Sequence, residues 1–165
     1  MDLFILRHGK AEKIAQGGDS DAGRALTRRG RSEVEEISAW ISTQGIPLDL
    51  IATSPLARAF ETAEILSAWY PAVKGPVVWD ELAPGMDFNR LMSRIRGLVR
   101  VSSLILIGHE PSLSACISRI ISGDARVRLS LKKGGLARIE NFSPAEPAAG
   151  ELAWLLSPRH MRKQP

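Results

Sequence analysis

The chain is short of several things, and each shortage excludes something. Its 165 residues include one cysteine, Cys116, so no disulfide can form within it and its stability must come from packing. A lone thiol fits a reducing compartment, and a cytoplasmic protein is expected. Aromatic residues make up 5% of the chain, few for stacking on bases. The net charge is +4, yet no run of Lys and Arg reaches five residues, and acidic residues are interspersed among the basic ones. Nucleic acid is therefore not expected as a partner, and the charge gives weak support to an anionic substrate. Long apolar runs are also missing. Leu3 to Leu6 is four residues long and follows Asp2 rather than a basic segment, and no stretch approaches the roughly 20 apolar residues that a membrane span needs. No membrane partner is expected.

What is present is enough apolar material for one sizeable core, 44% of residues. One domain over residues 1–165 is expected. Short apolar segments alternate with helical periodicity. LFIL (3–6) reads as a buried strand and GGDSDAG (17–23) as a loop. Thr27 can cap a helix that carries Val34, Ile37 and Ile41 on one face and stops at Gly45 and Pro47. LIAT (50–53) reads as a second strand. Ser54-Pro55 opens a helix that runs to about Tyr70. VVW (77–79) is a third strand. Phe88, Leu91, Met92, Ile95, Leu98 and Val99 mark the cleanest amphipathic helix. SLILI (103–107) is a fourth strand. A helix beginning at Pro111 is stopped by Gly123. Two further strands are predicted near 136–140 and 152–156, joined by a hairpin-type connection over 143–150. The segment 158–165 reads as a basic, frayed end, with His160 incidental. Together these elements predict an α/β protein, a three-layer α/β/α sandwich with a mostly parallel central sheet.

In such sheets, ligands bind beyond the carboxyl ends of the strands. Strand one ends at Arg7-His8-Gly9. Strand two ends at Thr53-Ser54-Pro55, with Arg58 one turn on. Strand three ends at Asp80-Glu81, and strand four at Gly108-His109-Glu110. Each of these residues alone has an ordinary structural reading, since polar groups commonly cap strand ends and arginine is usually a solvated charge. In combination they point elsewhere. Two arginines and two histidines converging on one sheet edge would repel one another unless an anion lay between them. Arginine presents a planar fork suited to phosphate oxygens, and helix N-termini near Pro55 and Pro111 add donors. The pattern predicts a phosphate pocket. A neutral imidazole there is a competent nucleophile. Two arginines and a second, protonated histidine would stabilise the transferring group. Glu81 is placed to act as general acid if burial raises its pKa, and otherwise simply faces solvent. Two histidines can also hold a metal, but no matching Asp, Glu or Cys set accompanies them. No metal and no cofactor are expected.

The residues resemble those of a known family. L-R-H-G directly after the first strand is similar to the signature of the histidine phosphatase superfamily, with its phosphoglycerate mutase-like fold. A-L-T-R-R-G (25–30), T-S-P-L-A-R-A-F-E-T-A (53–63) and L-I-G-H-E-P (106–111) resemble its further motifs, in the family's order. The resemblance implies that His8 is the phosphorylated nucleophile and that Arg7, Arg58 and His109 hold the phosphoryl group. It also implies that Glu81, in E-L-A-P-G, is the acid; Gly9, beside His8, lets the backbone close around the phosphoryl group. Only about twenty-five residues separate Glu81 from the strand leading to His109, too few for a large lid. The chain thus looks like the compact SixA-type phosphohistidine phosphatases. These features imply a metal-independent phosphatase acting on phosphohistidine of a phosphorelay-type protein. The alternatives are a phosphatase of small phosphate monoesters at the same site, a mutase (disfavoured by the missing insertions), and a non-enzymatic phosphate-binding module. Lys10 departs from the family pattern, where a small or acidic residue is common.

Overall fold

The apolar segments become strands because alternate residues of each can be buried on opposite faces of one sheet. In a computed structural model, which describes residues 1–14 and 20–161, β1 (Asp2–Arg7) sends Leu3 and Ile5 into one core and Phe4 and Leu6 into the other. In β4 (Ser103–Gly108), Leu104 and Leu106 face the first core and Ile105 and Ile107 the second. A strand buried on both faces has to be apolar throughout, which is why these segments carry no alternation. β2 (Leu50–Thr53) and the two-residue β3 (Val77–Val78) complete a parallel set. β5 (Leu136–Ser143) and β6 (Ala149–Leu156) form a hairpin, and β5 joins β1 antiparallel. The sheet order is β3-β2-β4-β1-β5-β6.

Helices cover both faces. α3 (Phe88–Arg96) and α4 (Ser112–Ser122) supply Leu91, Met92, Ile95, Cys116 and Ile117 to the first core. α1 (Arg28–Thr43) and α2 (Ala57–Ser67) supply Ile37, Ile41, Ala59, Ala63 and Leu66 to the second. This is the expected sandwich. α1 starts where the sequence predicts: the Thr27 hydroxyl accepts the Gly30 N–H at 2.8 Å, an N-cap bond. No side chain fits at Gly30, where a Cβ would lie 2.1 Å from the Lys10 carbonyl oxygen. The A-L-T-R-R-G motif therefore clamps the chain just past His8, and that Lys10 carbonyl also accepts the Thr27 N–H at 2.9 Å.

Some expectations are corrected. α2 begins at Ala57, not at Ser54-Pro55, because the Ser54 N–H still binds the Ile107 carbonyl as strand does. α3 ends at Arg96, and Val99 is exposed. Ser54, Pro55 and Leu56 are thus exit from β2, not helix. The C-terminal segment is not simply frayed: a fifth helical turn, α5 (Pro158–Met161), buries Met161 in the second core. His160 is exposed and bonds only locally, to Ser157 and Arg159. Residues 17–19 of the predicted loop and residues 162–165 of the basic tail lie outside the described residues. Among the described residues no helix is long and apolar enough to cross a membrane.

Candidate active site

Strand register sets the site. Arg7 of β1 pairs with Gly108 of β4, and Thr53 of β2 with Ile107 of β4, so the three strands end level. The next residues, His8, His109 and Ser54, therefore emerge side by side. The two imidazole rings lie 5.0 Å apart, centroid to centroid, tilted by 52°. His109 Nε2 lies 2.8 Å from the Ser54 hydroxyl. That hydroxyl also accepts the Leu56 N–H at 3.3 Å, and its own proton can turn to Nε2. With that donation the proton of His109 is on Nδ1.

The orientation of His8 is fixed more firmly. Its Nδ1 lies 2.7 Å from the Gly9 carbonyl oxygen, and a carbonyl can only accept. Nδ1 therefore carries the hydrogen, and the lone pair is on Nε2. The loop that bears this carbonyl is pinned from two sides, by Thr62 and by Gly134. The Gly9 N–H binds the Thr62 hydroxyl, which in turn donates to the Arg58 carbonyl at 2.7 Å. The Gly134 N–H is shared by the carbonyls of Arg7 and His8.

Burial holds both histidines neutral. It is the largest influence on His8, whose pKa falls to about 3, with His109, Arg58 and Arg7 pushing the same way and the Gly9 hydrogen bond opposing. His109 falls to about 4, again chiefly through burial and then the charge of Arg58. The expectation of a protonated His109 is thus corrected: with two guanidiniums nearby, a third positive charge out of water is unfavourable.

Around the histidines opens a cavity of about 330 Å³. Arg7, Arg24, Arg58 and Lys133 bring four cations to its wall, and Asp21 and Glu110 bring two carboxylates. Arg7 is anchored by a 2.9 Å bond from Nη1 to the Leu131 carbonyl. Arg58, 4% exposed, sits in the first turn of α2 and is anchored on Asp21. Arg7 Nε, Arg58 Nε and His109 Nδ1 are buried with no hydrogen-bond partner among the described residues. Proteins rarely leave buried donors unpaired, and three such atoms at one sheet edge form a set suited to the oxygens of an anion. Glu110 is held back at the wall, where it accepts the Ser114 N–H at 3.0 Å and bonds the Ser114 hydroxyl at the start of α4.

Two predicted site residues are placed elsewhere. Glu81 lies in a short turn, Asp80–Leu82, and lines a separate hollow with Asp87 and Arg90. Its carboxylate is paired with Arg94 at 3.1 Å, because α3 brings that cation across from the other side of the Pro84 loop. Gly9 does not line the cavity. Its small size is required by α1, since a Cβ there would lie 2.6 Å from Val34 Cγ2, and its N–H is used by Thr62. Sequence reading missed Asp21, Arg24 and Lys133. Their loops carry no periodicity, and only the D-x-x-R spacing hinted at an ion pair. Among the described residues no group of three or more His, Cys, Asp or Glu side chains is placed to hold a metal ion.

The sheet order, the two helical layers and the strand-end cluster define an α/β protein of phosphoglycerate mutase-like fold. The structure of the histidine phosphatase SixA in complex with tungstate shares this fold, with a TM-score of 0.84, 24% identity, and coverage of 98% of this chain and 100% of that one. The profile of the histidine phosphatase superfamily (branch 1) matches residues 3–96. The chain belongs to that superfamily and is a hydrolase. It is 32% identical to an uncharacterised protein of Picosynechococcus, over 96% of this chain and 98% of that protein. It is 25% identical to the phosphohistidine phosphatase SixA of Escherichia coli, over 98% of this chain and 97% of that one.

Proposed function

We propose that this protein is a phosphohistidine phosphatase that takes a phosphoryl group from a histidine of another protein onto His8 and passes it to water. The orientation of His8 carries the reading: its Nδ1–H is tied to the Gly9 carbonyl, so a neutral Nε2 lone pair is available beside the unpaired donors of Arg7, Arg58 and His109. Nε2 attacks phosphorus, a bond forms to it, and the phosphorus–nitrogen bond of the substrate breaks. The substrate reacts as its phosphoimidazolium form, protonated on the ring nitrogen that does not carry phosphorus, so the departing imidazole takes the electron pair of the broken bond, keeps that proton and leaves neutral. His8, now substituted on both nitrogens, is cationic, and the Gly9 carbonyl stabilises it through Nδ1–H. Arg7, Arg58 and His109 Nδ1–H hold the equatorial oxygens, where charge stabilisation matters most. Water then attacks phosphorus, the His8–phosphorus bond breaks, inorganic phosphate leaves and the water proton passes to phosphate or solvent. No carboxylic acid is needed at the leaving group, which fits the position of Glu81 beside Arg94.

Two further observations support a protein substrate. The cavity is open, and Arg24 and Lys133 add two further cations to its wall. The relatives named above include a phosphohistidine phosphatase and a structure of one holding tungstate, a tetrahedral oxyanion.

The test is rapid quenching with a protein carrying labelled phosphohistidine. Acid-labile label should appear on His8 during turnover and be absent from the His8→Asn variant. Label on another residue, or none while phosphate is being released, would overturn the covalent route. A higher kcat/KM for small phosphate monoesters than for the phosphoprotein would move the assignment to the ester reading.

A further inference from the structure

Asp21 lines the cavity wall, has no part in the reaction above, and bonds directly to one of its phosphate-site arginines. Its side chain is 61% exposed against 5% for Arg58, so the carboxylate stands between Arg58 and solvent. It meets the guanidinium at both terminal nitrogens. The Asp21 carbonyl oxygen accepts from Nη1 at 2.8 Å and Oδ2 accepts from Nη2 at 2.9 Å. Its second oxygen, Oδ1, accepts from Arg24 Nε at 2.7 Å, and Arg24 Nη1 reaches the Glu12 carbonyl at 3.0 Å. The hydrogen bond from Arg58, aided by that from Arg24, keeps the Asp21 carboxyl below the usual carboxylate range, so it is ionised whenever the site can work.

An anion bonded to a phosphate-site arginine could compete with phosphate or could aim the arginine. The donor inventory favours aiming. A guanidinium has five N–H groups. Asp21 takes one from each terminal nitrogen, and Nε is left buried and unpaired. Arg7 shows the same layout, with Nη1 on the Leu131 carbonyl and Nε unpaired. In both arginines the far end is tied to the protein and the Nε side is left free. Arg58 sits in the first turn of α2, and the neighbouring N-cap, Leu56, lends no side-chain bond. Apart from Asp21, no protein group is recorded as a hydrogen-bond partner of its guanidinium among the described residues.

We propose that Asp21 is a positioning residue: it brackets Nη1 and Nη2 of Arg58 so that Nε is presented to the phosphoryl group. This rests on Arg58 being a phosphate ligand, so the probe is tungstate itself, whose binding does not depend on the physiological substrate. Calorimetry on the wild type, Asp21→Asn, Arg58→Gln and the double variant forms a cycle. The Asp21→Asn variant keeps shape and removes charge, and it should bind tungstate about tenfold more weakly, the scale of one charge-assisted hydrogen bond. In the Arg58→Gln background the same change should alter binding by no more than about twofold, since additivity holds only for independent sites. An effect on general folding would instead appear equally in both backgrounds. Tighter binding by Asp21→Asn would make the carboxylate a competitor, and unchanged binding would make it a bystander. An equal loss in both backgrounds would show that it does not act through Arg58. Any of these overturns the proposal. A wild type that binds no tungstate, or an Arg58→Gln variant that binds as the wild type does, would sink the phosphate-site reading first and this proposal with it.

Discussion

The neutral histidines make folding stability depend on pH in a window where most proteins are flat. His8 has a folded pKa of about 3 and His109 of about 4, both below the ordinary 6.5. As the pH falls below 6.5 the unfolded chain takes up these two protons and the folded chain does not. Stability is therefore full above pH 6.5 and is lost as the pH falls from there towards 4 and 3. Each histidine contributes a slope of about 1.4 kcal/mol per pH unit in that window. Between pH 7 and pH 5 the pair should remove about 4 kcal/mol, a large part of the roughly 5–15 kcal/mol that holds a domain folded.

Urea unfolding at half-unit pH steps measures this directly, with the slope m checked for constancy. The informative comparison is with His8→Asn and His109→Asn. Each substitution removes one titrating imidazole, so each should cut the wild-type slope by about half, or about 1.4 kcal/mol per pH unit. If the variants show the wild-type slope, or if wild-type stability is level from pH 7 to 5, then the imidazoles are not buried as neutral groups and the nucleophile argument fails with them. Tungstate should steepen nothing in the variants that it does not steepen in the wild type.

Three other outcomes are expected. Glu81→Gln should change kcat/KM by less than about threefold, where loss of a general acid would bring roughly a hundredfold or more; a drop of that larger size would return Glu81 to the reaction. Ser54→Ala leaves Nε2 of His109 buried without its partner, and kcat/KM should fall by about tenfold, with a stability loss of about 1–3 kcal/mol; unchanged kinetics would show that Ser54 does not orient the ring. Gly134→Ala places a side chain at φ +70°, 2.8 Å from Ile37 Cδ1, and should lower unfolding free energy by about 1–3 kcal/mol, so an unaltered urea midpoint would refute the strain.

How much of this could be read from the chain depended on whether a residue's role was set locally. β1, β2, β4 and α1 were legible because their apolar patterns answer to burial by faces of one sheet. The convergence of Arg7, Arg58 and His109 on His8 followed from the strand-end rule, since each lies within a few residues of a strand terminus. Glu81 also lies near a strand terminus, yet Arg94 arrives from thirteen positions further on and captures it. Nothing near Glu81 in sequence records that. Asp21 was invisible for the converse reason: its partner Arg58 is 37 positions away, and its own loop has no pattern. α5 was missed because one buried side chain, Met161, fixes it, and four residues show no periodicity. At Gly9 the contact that the structure shows is with Val34, and a tight approach leaves the same trace in sequence whether the neighbour is a phosphate or a side chain.

The arginines and the burial act on His8 in one direction, and that explains a feature that would otherwise be a defect. Burial is the larger influence on both rings, and the charges of Arg58 and Arg7 push the same way. Both keep the imidazoles uncharged in the range where the chain is stable. A nucleophile held neutral this way needs no base to activate it, which is consistent with a wall whose two carboxylates are engaged elsewhere, Glu110 with Ser114 and Asp21 with two arginines. Those carboxylates cannot lie closer to Nε2 without undoing the arrangement, because a facing anion would favour the imidazolium and remove the lone pair. Asp21 is therefore placed where it holds two arginines, and Glu110 where it holds Ser114. The strand ends supply the remaining requirement of the proposed reaction, a carbonyl at 2.7 Å that fixes which nitrogen of His8 keeps its lone pair.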